Sequence, residues 1–300
     1  MFILVQVLSK MKSFLFIIYI LLLFHHAFSQ CNGYEDLCLK RYNEVAYLTT
    51  HNAYNSKVEG FKLPNQEWNI STQLQHGVRA LMLDVYEGSD ELVVYHGYKM
   101  LGSKPFVEVL EEIRSFMNEN TNEVITIILE CYVNSNQIAA DLETSGLTKY
   151  LYAKSRNEDW KTLGEMISDN TRLVVLSDKS DAQVGQEWYH YIWDVAVETH
   201  FTNHKLKHFS NEFNRGKENA VTKDLVVLNH FLTKTITGVG SIRKSKKANS
   251  ILVDRIKNFQ LETGRFPNFI TVDFVDIGNA KDAIDILNGV FVDFPAPSND

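Results

Sequence analysis

The chain has 300 residues, of which 45% are hydrophobic and 22% are charged, and its formal net charge is −7. This composition is typical of a globular protein and excludes a disordered chain. The negative charge argues against nucleic acid as the main partner, because phosphate binding needs a basic surface. It also disfavours unaided binding to an acidic membrane.

The N-terminus has the pattern of a secretory signal peptide. Residues 14–24 form an unbroken apolar run that follows two lysines and precedes the small residues of Ala27-Phe-Ser29. The run is too short to favour a transmembrane helix, which needs about 20 apolar residues. We therefore predict a signal peptide over residues 1–29 and a secreted or periplasmic protein. An uncleaved N-terminal anchor is the alternative.

The chain contains three cysteines. Cys31 and Cys38 are near enough in sequence to close a small loop in an oxidising compartment, and the sequence leaves open whether they are bonded. Cys131 lies in an apolar stretch and is predicted to be a buried free thiol. No spacing of Cys and His indicates a structural zinc site.

Apolar strand candidates alternate with helix candidates along the rest of the chain. Strands are predicted over residues 44–50, 80–85, 91–95, 124–131, 172–176, 193–198, 225–228 and 269–272, and helices over residues 105–118, 136–144, 248–262 and 279–287. No linker or fixed-period repeat divides residues 30–300, so we interpret them as one domain. The alternation predicts a parallel α/β barrel. A doubly wound sheet is the alternative, but no glycine-rich phosphate loop follows the first strand.

The apolar strands end in polar or ionisable residues. In barrels of this class the catalytic residues come from the carboxyl ends of the strands, which meet on one face. In chain order these ends carry His51 and Asn52, Asp84, His96, Glu130, Ser177 and Asp178, Asn229 and His230, and Asp273. We therefore expect these side chains to lie close together.

The residue types at the strand ends indicate phosphodiester chemistry. His51 and His96 can serve as general base and general acid across one bond. Asn52, Asp84 and Glu130 offer hard oxygen ligands, which suit calcium or magnesium rather than zinc. A cation held there would stabilise charge on a phosphoryl group, so the set fits phosphodiester cleavage better than acyl or hydride transfer.

Each of these assignments has a structural alternative. The two histidines could be hydrogen-bonded wall residues, and Asp84 and Glu130 could form ion pairs across the barrel. Asp273 is a candidate for orienting a catalytic histidine, and a structural role is its alternative. Asn229 and His230 are candidates for contact with the substrate headgroup.

Two further stretches are interpreted by their composition. The run Arg243-Lys-Ser-Lys-Lys247 is predicted to be a solvated stretch before a helix, with contact to anionic lipid or phosphate as the alternative. The aromatic run Trp188-Tyr-His-Tyr-Ile-Trp193 is predicted to pack as a helix against the barrel, with a membrane-facing rim as the alternative.

The motifs at the strand ends resemble the X region of phosphatidylinositol-specific phospholipase C. THNAY (residues 50–54), GVRALMLD (77–84), VYHG (94–97) and IILE (127–130) occur in that family's order and spacing. Looser matches run from VLNHF (227–231) to NFITVDF (268–274), so the resemblance covers most of the chain after residue 30. It implies an irregular TIM-like α/β barrel of the secreted, single-domain type.

The resemblance also implies a mechanism. His51 would take the proton from the inositol 2-hydroxyl, whose oxygen attacks phosphorus to give a cyclic phosphate. His96 would protonate the departing diacylglycerol oxygen. Asp84 stands where metal-independent bacterial enzymes have an arginine, and Asn52 and Glu130 match ligands of the calcium-dependent enzymes. This implies Ca²⁺ as a cofactor, rather than Mg²⁺.

One position departs from the calcium-dependent pattern. Met82 stands where those enzymes carry a further acidic ligand, and a thioether is a poor ligand for a hard cation. The expected partners are a phospholipid or inositol-phosphate substrate and a transient membrane surface, without nucleic acid, for a monomeric chain. The alternative functions are a glycerophosphodiester or sphingomyelin-type diesterase on the same barrel, and an inactive secreted protein that binds lipid headgroups.

Overall fold

The computed structural model describes residues 30–155, 158–180, 186–234 and 240–290. The predicted signal peptide over residues 1–29 lies outside these ranges. No helix within them is long and apolar enough to cross a membrane. The strands of the described residues all belong to one sheet.

The wall of the molecule is built from parallel strands. The strands are β1 (Tyr47–Thr50), β2 (Ala80–Glu87), β3 (Leu92–Val94), β4 (Lys104–Pro105), β5 (Ile125–Cys131), β6 (Leu173–Ser177), β7 (Tyr189–Tyr191), β8 (Ala196–Thr199), β9 (Phe213–Arg215), β10 (Leu225–Asn229) and β11 (Phe269–Val272). Eight of them run parallel in the order β7-β6-β5-β2-β1-β11-β10-β8. Within the described ranges no ladder joins β7 to β8. The sheet is thus curled and open at one seam, which confirms the irregular TIM-like α/β barrel.

Three short strands depart from the parallel pattern. β3 pairs antiparallel with β2, β4 with β3, and β9 with β8. The strand predicted over residues 91–95 is therefore a hairpin strand and not part of the parallel wall. The cause is a tight turn, in which the backbone N–H of Gly88 donates to the carbonyl of Glu91 at 2.9 Å.

Helices cover the outer face of the sheet. They are α1 (Ile70–Gln75), α2 (Phe106–Glu119), α3 (Ser135–Thr144), α4 (Leu163–Ser168), α5 (Ile192–Val195), α6 (Ile242–Asn249), α7 (Leu252–Thr263) and α8 (Ala280–Asn288). The helices predicted over residues 105–118, 136–144 and 279–287 are confirmed as α2, α3 and α8.

Three helix and strand predictions are corrected by the structure. The helix predicted over residues 248–262 is two helices, α6 and α7, and the basic run over residues 243–247 lies inside α6 rather than ahead of it. The strand predicted over residues 193–198 begins only at Ala196, because the helical turn α5 runs through Val195. The aromatic run that contains Trp188 forms strand β7 as well as α5, and so is not one helix.

Alternate residues of the parallel strands enter two separate hydrophobic layers, as the period-two geometry of a strand requires. Leu48 and Ile127 pack in the layer shared with the helices, whereas Tyr47 and Ile128 belong to the inner layer. Tyr47 and Phe269 stand at the first positions of β1 and β11, and their rings stack at 5.6 Å between centroids. Aromatic side chains therefore fill the amino end of the barrel, which leaves the carboxyl end for a pocket.

A disulfide closes the start of the described chain. Cys31 and Cys38 are bonded, which settles the question that the sequence leaves open. Cys131, on β5, is a buried free thiol as predicted. Burial raises the pKa of this thiol, so it is held in its neutral form.

Candidate active site

The carboxyl ends of the parallel strands surround one pocket, which we call the catalytic pocket. Five of the predicted site residues line it: His51, Asn52, Asp84, Glu130 and Asn229. Two more, His96 and Asp273, adjoin it through hydrogen bonds to residues of this set. Asp178 lines it as well, so eight of the ten residues predicted at the strand ends meet here, and Ser177 and His230 are the exceptions.

His51 is held by a buried carboxylate. Its Nδ1 lies 2.9 Å from Oδ1 of Asp273, whose side chain is only 1% exposed. A carboxylate accepts hydrogen bonds, so Nδ1 carries the proton and Nε2 is left as the basic nitrogen. The imidazole stacks on Phe231, with ring centroids 3.9 Å apart and an angle of 8° between the planes. The ring is thus fixed in both tautomer and orientation.

A buried asparagine, Asn65, joins the parts of this arrangement and was missed by sequence reasoning. Its Nδ2 donates to Oδ1 of Asp273 at 3.0 Å, and its Oδ1 accepts hydrogen bonds from Asn55 at 2.7 Å and Asn52 at 3.3 Å. Asn65 lies in the loop between β1 and α1, outside the motifs that single out the strand ends. Nothing in its local sequence distinguishes it from an ordinary loop residue.

The backbone that carries His51 has a second support in Gln66, which is also fully buried. Its Nε2 donates to the carbonyls of His51 at 2.8 Å and Val272 at 3.1 Å, and its Oε1 accepts from the N–H of Val275. The side chain therefore ties the ends of β1 and β11 together. This fixes the separation of His51 and Asp273.

His96 forms a second pair with a carboxylate. Its Nδ1 lies 3.1 Å from Oδ2 of Asp84, and its ring centroid is 6.3 Å from that of His51. The hydrogen bond to Asp84 raises the pKa of His96, although burial opposes this effect. The raised pKa favours the protonated form of His96, and Nε2 of His51 is left free of a proton to accept one. A group that donates a proton and a group that accepts one, held close together, are the requirement for general acid–base catalysis.

Asn52, Asp84 and Glu130 present hard oxygen atoms beside these histidines. Asp84 and Glu130 are opposite each other in the register of β2 and β5. Burial and the charge of Asp84 raise the pKa of Glu130, so a bound cation would relieve the repulsion between the two carboxylates. Asn52 uses its amide nitrogen to donate to Asn65, which leaves its Oδ1 as the ligand atom.

This donor set fits a hard cation that also binds water or substrate oxygens, because Ca²⁺ takes six to eight oxygen ligands. Asp84 shares one oxygen with His96, and Glu130 accepts a hydrogen bond from Tyr132. Within the described ranges, no group of three or more His, Cys, Asp and Glu side chains has the geometry of a metal site. Met82 also lines the pocket and supplies no hard donor.

Arg215, on β9, brings a positive charge into the catalytic pocket and was also missed. It forms a two-pronged ion pair with Glu198 and lies 4.8 Å from the ring centroid of Trp193. Its strand is too short and too polar to stand out in the sequence. Arg215 is therefore the cation that the chain itself contributes next to the acidic side chains.

Asn229 and His230 diverge at the end of β10. Asn229 lines the pocket, and its amide donates to Glu198 at 2.9 Å and to the carbonyl of Thr199 at 3.0 Å. His230 is fully buried outside the pocket, where Nε2 donates to the carbonyl of Ala248 and Nδ1 accepts from Arg255. The structure therefore does not bring His230 to the site, because both of its nitrogens are used to fix the wall.

The buried histidines are expected to make the fold sensitive to acid. Burial lowers the pKa of His230 to about 3 and that of His190 to about 4, whereas an unfolded chain has a value of about 6.5. Well above pH 6.5 both histidines are neutral in the folded and in the unfolded state, so neither makes the free energy of unfolding depend on pH. As the pH falls from 6.5 towards the folded-state pKa values, the unfolded state binds protons and the folded state does not. The free energy of unfolding therefore decreases over this pH range.

Urea unfolding at pH 6.5 and pH 5.0 measures this effect. We expect the free energy of unfolding to fall by about 1.5 kcal/mol for each of the two histidines over this interval. The double variant His190→Gln/His230→Gln should show a smaller pH dependence, whatever its absolute stability. His208→Gln, at an exposed position, is the control and should keep the wild-type dependence. Equal pH dependence in all three proteins would contradict the prediction.

The fold and its site define the class of this protein as a TIM-like barrel with two histidine–carboxylate pairs at its mouth. The sequence model of the PI-PLC X 1 family matches residues 37–288. The chain therefore belongs to the PI-PLC X family.

Individual relatives agree with this assignment. The chain is 29% identical over 272 residues to a PI-PLC X domain-containing protein of Arabidopsis thaliana, covering 83% of this chain and 62% of the relative. It is 24% identical over 282 residues to an uncharacterized secreted protein of Arthroderma benhamiae, covering 85% and 62%. The chain thus spans less than two thirds of the length of these relatives.

The fold has counterparts among solved structures. The phosphatidylinositol-specific phospholipase C from Listeria monocytogenes superposes with a TM-score of 0.57 at 18% identity, covering 85% of this chain and 96% of that one. At this identity the likeness shows the fold alone.

Proposed function

We propose that the chain is a phosphodiesterase that cleaves the headgroup of a phosphatidylinositol-type lipid through a cyclic phosphate. The observation that carries the proposal is the pair of histidines, each bonded to its own carboxylate, whose rings are 6.3 Å apart at one pocket. In the proposed complex one histidine lies on the side of the attacking oxygen and the other on the side of the leaving oxygen.

In the first step His51 acts as the base. Its Nε2 takes the proton from a hydroxyl beside the phosphate, and the hydroxyl oxygen forms a bond to phosphorus. The bond from phosphorus to the diacylglycerol oxygen breaks as His96 donates its proton to that oxygen. Asp273 stabilises the positive charge that develops on His51. The products are a cyclic phosphodiester and diacylglycerol.

In the second step the roles reverse. His96, now neutral, takes a proton from water, and the water oxygen bonds to phosphorus. His51 returns its proton to the ring oxygen as the cyclic ester opens, so both histidines regain their starting states. The hydrogen bond between His96 and Asp84 favours this return, because it stabilises the protonated imidazole.

We also propose that Ca²⁺ binds to Asn52, Asp84 and Glu130. A bound cation would stabilise negative charge on the phosphoryl oxygens. We expect turnover to be lost after treatment with a chelator and restored by Ca²⁺ more fully than by Mg²⁺. Purified protein that keeps full diesterase activity after exhaustive chelation rules out this part of the proposal, and Arg215 then remains as the cation of the pocket.

The test of the substrate class compares two lipids in vesicles. Phosphatidylinositol has a hydroxyl next to its phosphate ester, whereas the choline of phosphatidylcholine has none. We expect release of a soluble phosphate ester from phosphatidylinositol and none from phosphatidylcholine. Cleavage of both lipids, or of sphingomyelin, favours the alternative diesterase. Binding to phosphatidylinositol vesicles without turnover favours a headgroup-binding protein.

A close approach in the structure leads to a further prediction about Gly240. A Cβ atom at this position would lie 2.0 Å from Oδ2 and 2.8 Å from Cγ of Asp273. Gly240→Ala is therefore expected to displace the carboxylate from His51 and to lower turnover by about a hundred-fold. A steady-state rate measurement checks this, with thermal unfolding to confirm that the variant folds.

The control is a double-mutant cycle with Asp273→Ala. Removing the carboxylate makes room for the added methyl group, so Gly240→Ala should cost almost nothing in the Asp273→Ala background. An equal loss in both backgrounds would show that Gly240 acts on some other part of the site.

We further propose that the protein is exported. The disulfide between Cys31 and Cys38 supports an oxidising compartment. One of the relatives is described as a secreted protein. Detection of mature protein that begins near Gln30 in a culture medium or periplasmic extract tests the proposal, and retention of residues 1–29 on a membrane favours the uncleaved anchor.

A further inference from the structure

A groove lined by positive charges lies beside the catalytic pocket. We call it the basic groove and define it by six side chains: Lys205, Lys207, Lys234, Arg243, Lys244 and Lys247. It has a volume of about 590 Å³, and its described lining contains no Asp or Glu. Six of the chain's 30 lysines and arginines are thus gathered at one place in a protein whose net charge is −7.

The walls of the basic groove are held together by hydrogen bonds between three segments. Lys244, on α6, donates from Nζ to the carbonyl of Thr233 and to that of His204 at 3.3 Å. The N–H of Thr233 donates to the carbonyl of Asn203 at 2.8 Å. The segments that follow β8 and β10 are therefore fixed against α6. The walls of the groove are held in place by these hydrogen bonds.

In the part of the chain that the structure describes, no carboxylate compensates the charges of the basic groove. Within the described residues, none of the six cations forms a salt bridge with a carboxylate. Burial and repulsion by Lys234 lower the pKa of Lys244. A concentration of like charges without counter-charges is stabilised when an anion binds next to it.

A segment that lines the catalytic pocket continues directly into the basic groove. Phe231 stacks on His51, and the next residue in the chain, Leu232, lines the groove. Leu206 lines it as well and is 36% exposed, and Ile242, between the groove residues Ser241 and Arg243, is 43% exposed. The groove and the residue Ile242 next to it in the chain therefore present both cationic and exposed apolar side chains.

We propose that the basic groove docks the barrel mouth onto a membrane surface that carries anionic lipid headgroups. Lysine and arginine are attracted to the negative potential of such a surface, and exposed leucine and isoleucine enter the interface between headgroups and acyl chains. The overall charge of the protein opposes this contact, so the attraction must come from this local patch. The site is separate from the catalytic pocket, and binding to it does not depend on turnover.

Co-sedimentation with vesicles tests the proposal. The probes are vesicles of phosphatidylcholine alone and of phosphatidylcholine with about one third phosphatidylserine, an anionic lipid without an inositol headgroup. We expect the protein to bind the anionic vesicles, and Lys205→Gln/Lys207→Gln to weaken binding roughly 25-fold, which is about five-fold for each removed charge. Lys149→Gln/Lys257→Gln removes the same charge at exposed positions away from the groove and should bind as wild type does.

Three results would overturn the proposal. The first is equal binding of wild type to neutral and anionic vesicles. The second is an equal loss of binding in the groove variant and the control variant. The third is saturable binding of inorganic pyrophosphate in calorimetry without binding to anionic vesicles, which would make the groove a site for a soluble anion. None of these measurements involves catalysis, so their failure leaves the proposed diesterase activity untouched.

Discussion

Replacing His51 with alanine is expected to lower the rate of phosphatidylinositol cleavage by about a thousand-fold, which is within the range for loss of a general base. The structure gives the reason. Asp273 accepts a hydrogen bond from Nδ1, so Nε2 is left as the basic atom of the side chain, and His51 lines the catalytic pocket. The measurement is the initial rate with phosphatidylinositol vesicles, together with thermal unfolding.

Two variants make this result specific. Asp273→Asn keeps the shape of the side chain but removes the negative charge, so we expect a smaller loss than for His51→Ala. His76→Ala makes the same chemical change at an exposed histidine and should leave the rate unchanged. Wild-type product yield from His51→Ala would show that the base has been assigned to the wrong residue.

Replacing His96 with alanine is expected to have an effect that depends on the leaving group. A diacylglycerol alkoxide is a poor leaving group that needs a proton, so we expect a loss of about a hundred-fold or more. A nitrophenolate leaves without protonation. With the 4-nitrophenyl ester of inositol 1-phosphate, the loss should therefore shrink to less than about ten-fold.

The comparison with His51→Ala is the control for this prediction. The base acts on the attacking hydroxyl, which is the same in both substrates, so His51→Ala should lose a similar factor with each. If His96→Ala loses the same factor with both leaving groups, His96 does not act as the acid, and its bond to Asp84 serves another purpose.

The fold and the location of the site could be predicted because both follow from general rules about parallel strands. Apolar runs such as β5 and β10 indicate buried strands, and the carboxyl ends of parallel strands lie at the same edge of a sheet. Residues as distant in sequence as His51 and Asp273 could therefore be placed together, and the structure places their side chains 2.9 Å apart.

The position of His230 follows from the alternation of side chains along β10. Val227 and Asn229 line the catalytic pocket, and the side chains of a strand alternate between its two faces. The next residue after Asn229 therefore points to the outer layer, where His230 is found. The match to VLNHF (residues 227–231) predicts that His230 contacts the substrate headgroup. The alternation of side chains along β10 instead places His230 on the face away from the pocket.

Other parts of the site could not be predicted because their roles depend on how loops fold back. Asn65 and Gln66 lie in a loop without regular periodicity, and only the tertiary structure brings them against His51 and Asp273. Arg215 reaches the pocket from a three-residue strand that pairs antiparallel with β8. Such contacts depend on packing between segments that are distant in sequence. Local sequence patterns do not indicate them.

The central claim is that His51 and His96 act in turn on one phosphorus atom, first to form a cyclic ester and then to open it. Phosphorus NMR of phosphatidylinositol vesicles during incubation with the purified protein tests it most directly. The mechanism predicts that a five-membered cyclic inositol phosphate appears first and then decays to inositol monophosphate. Inositol monophosphate formed from the first time point, with no cyclic phosphate at any stage, would contradict it.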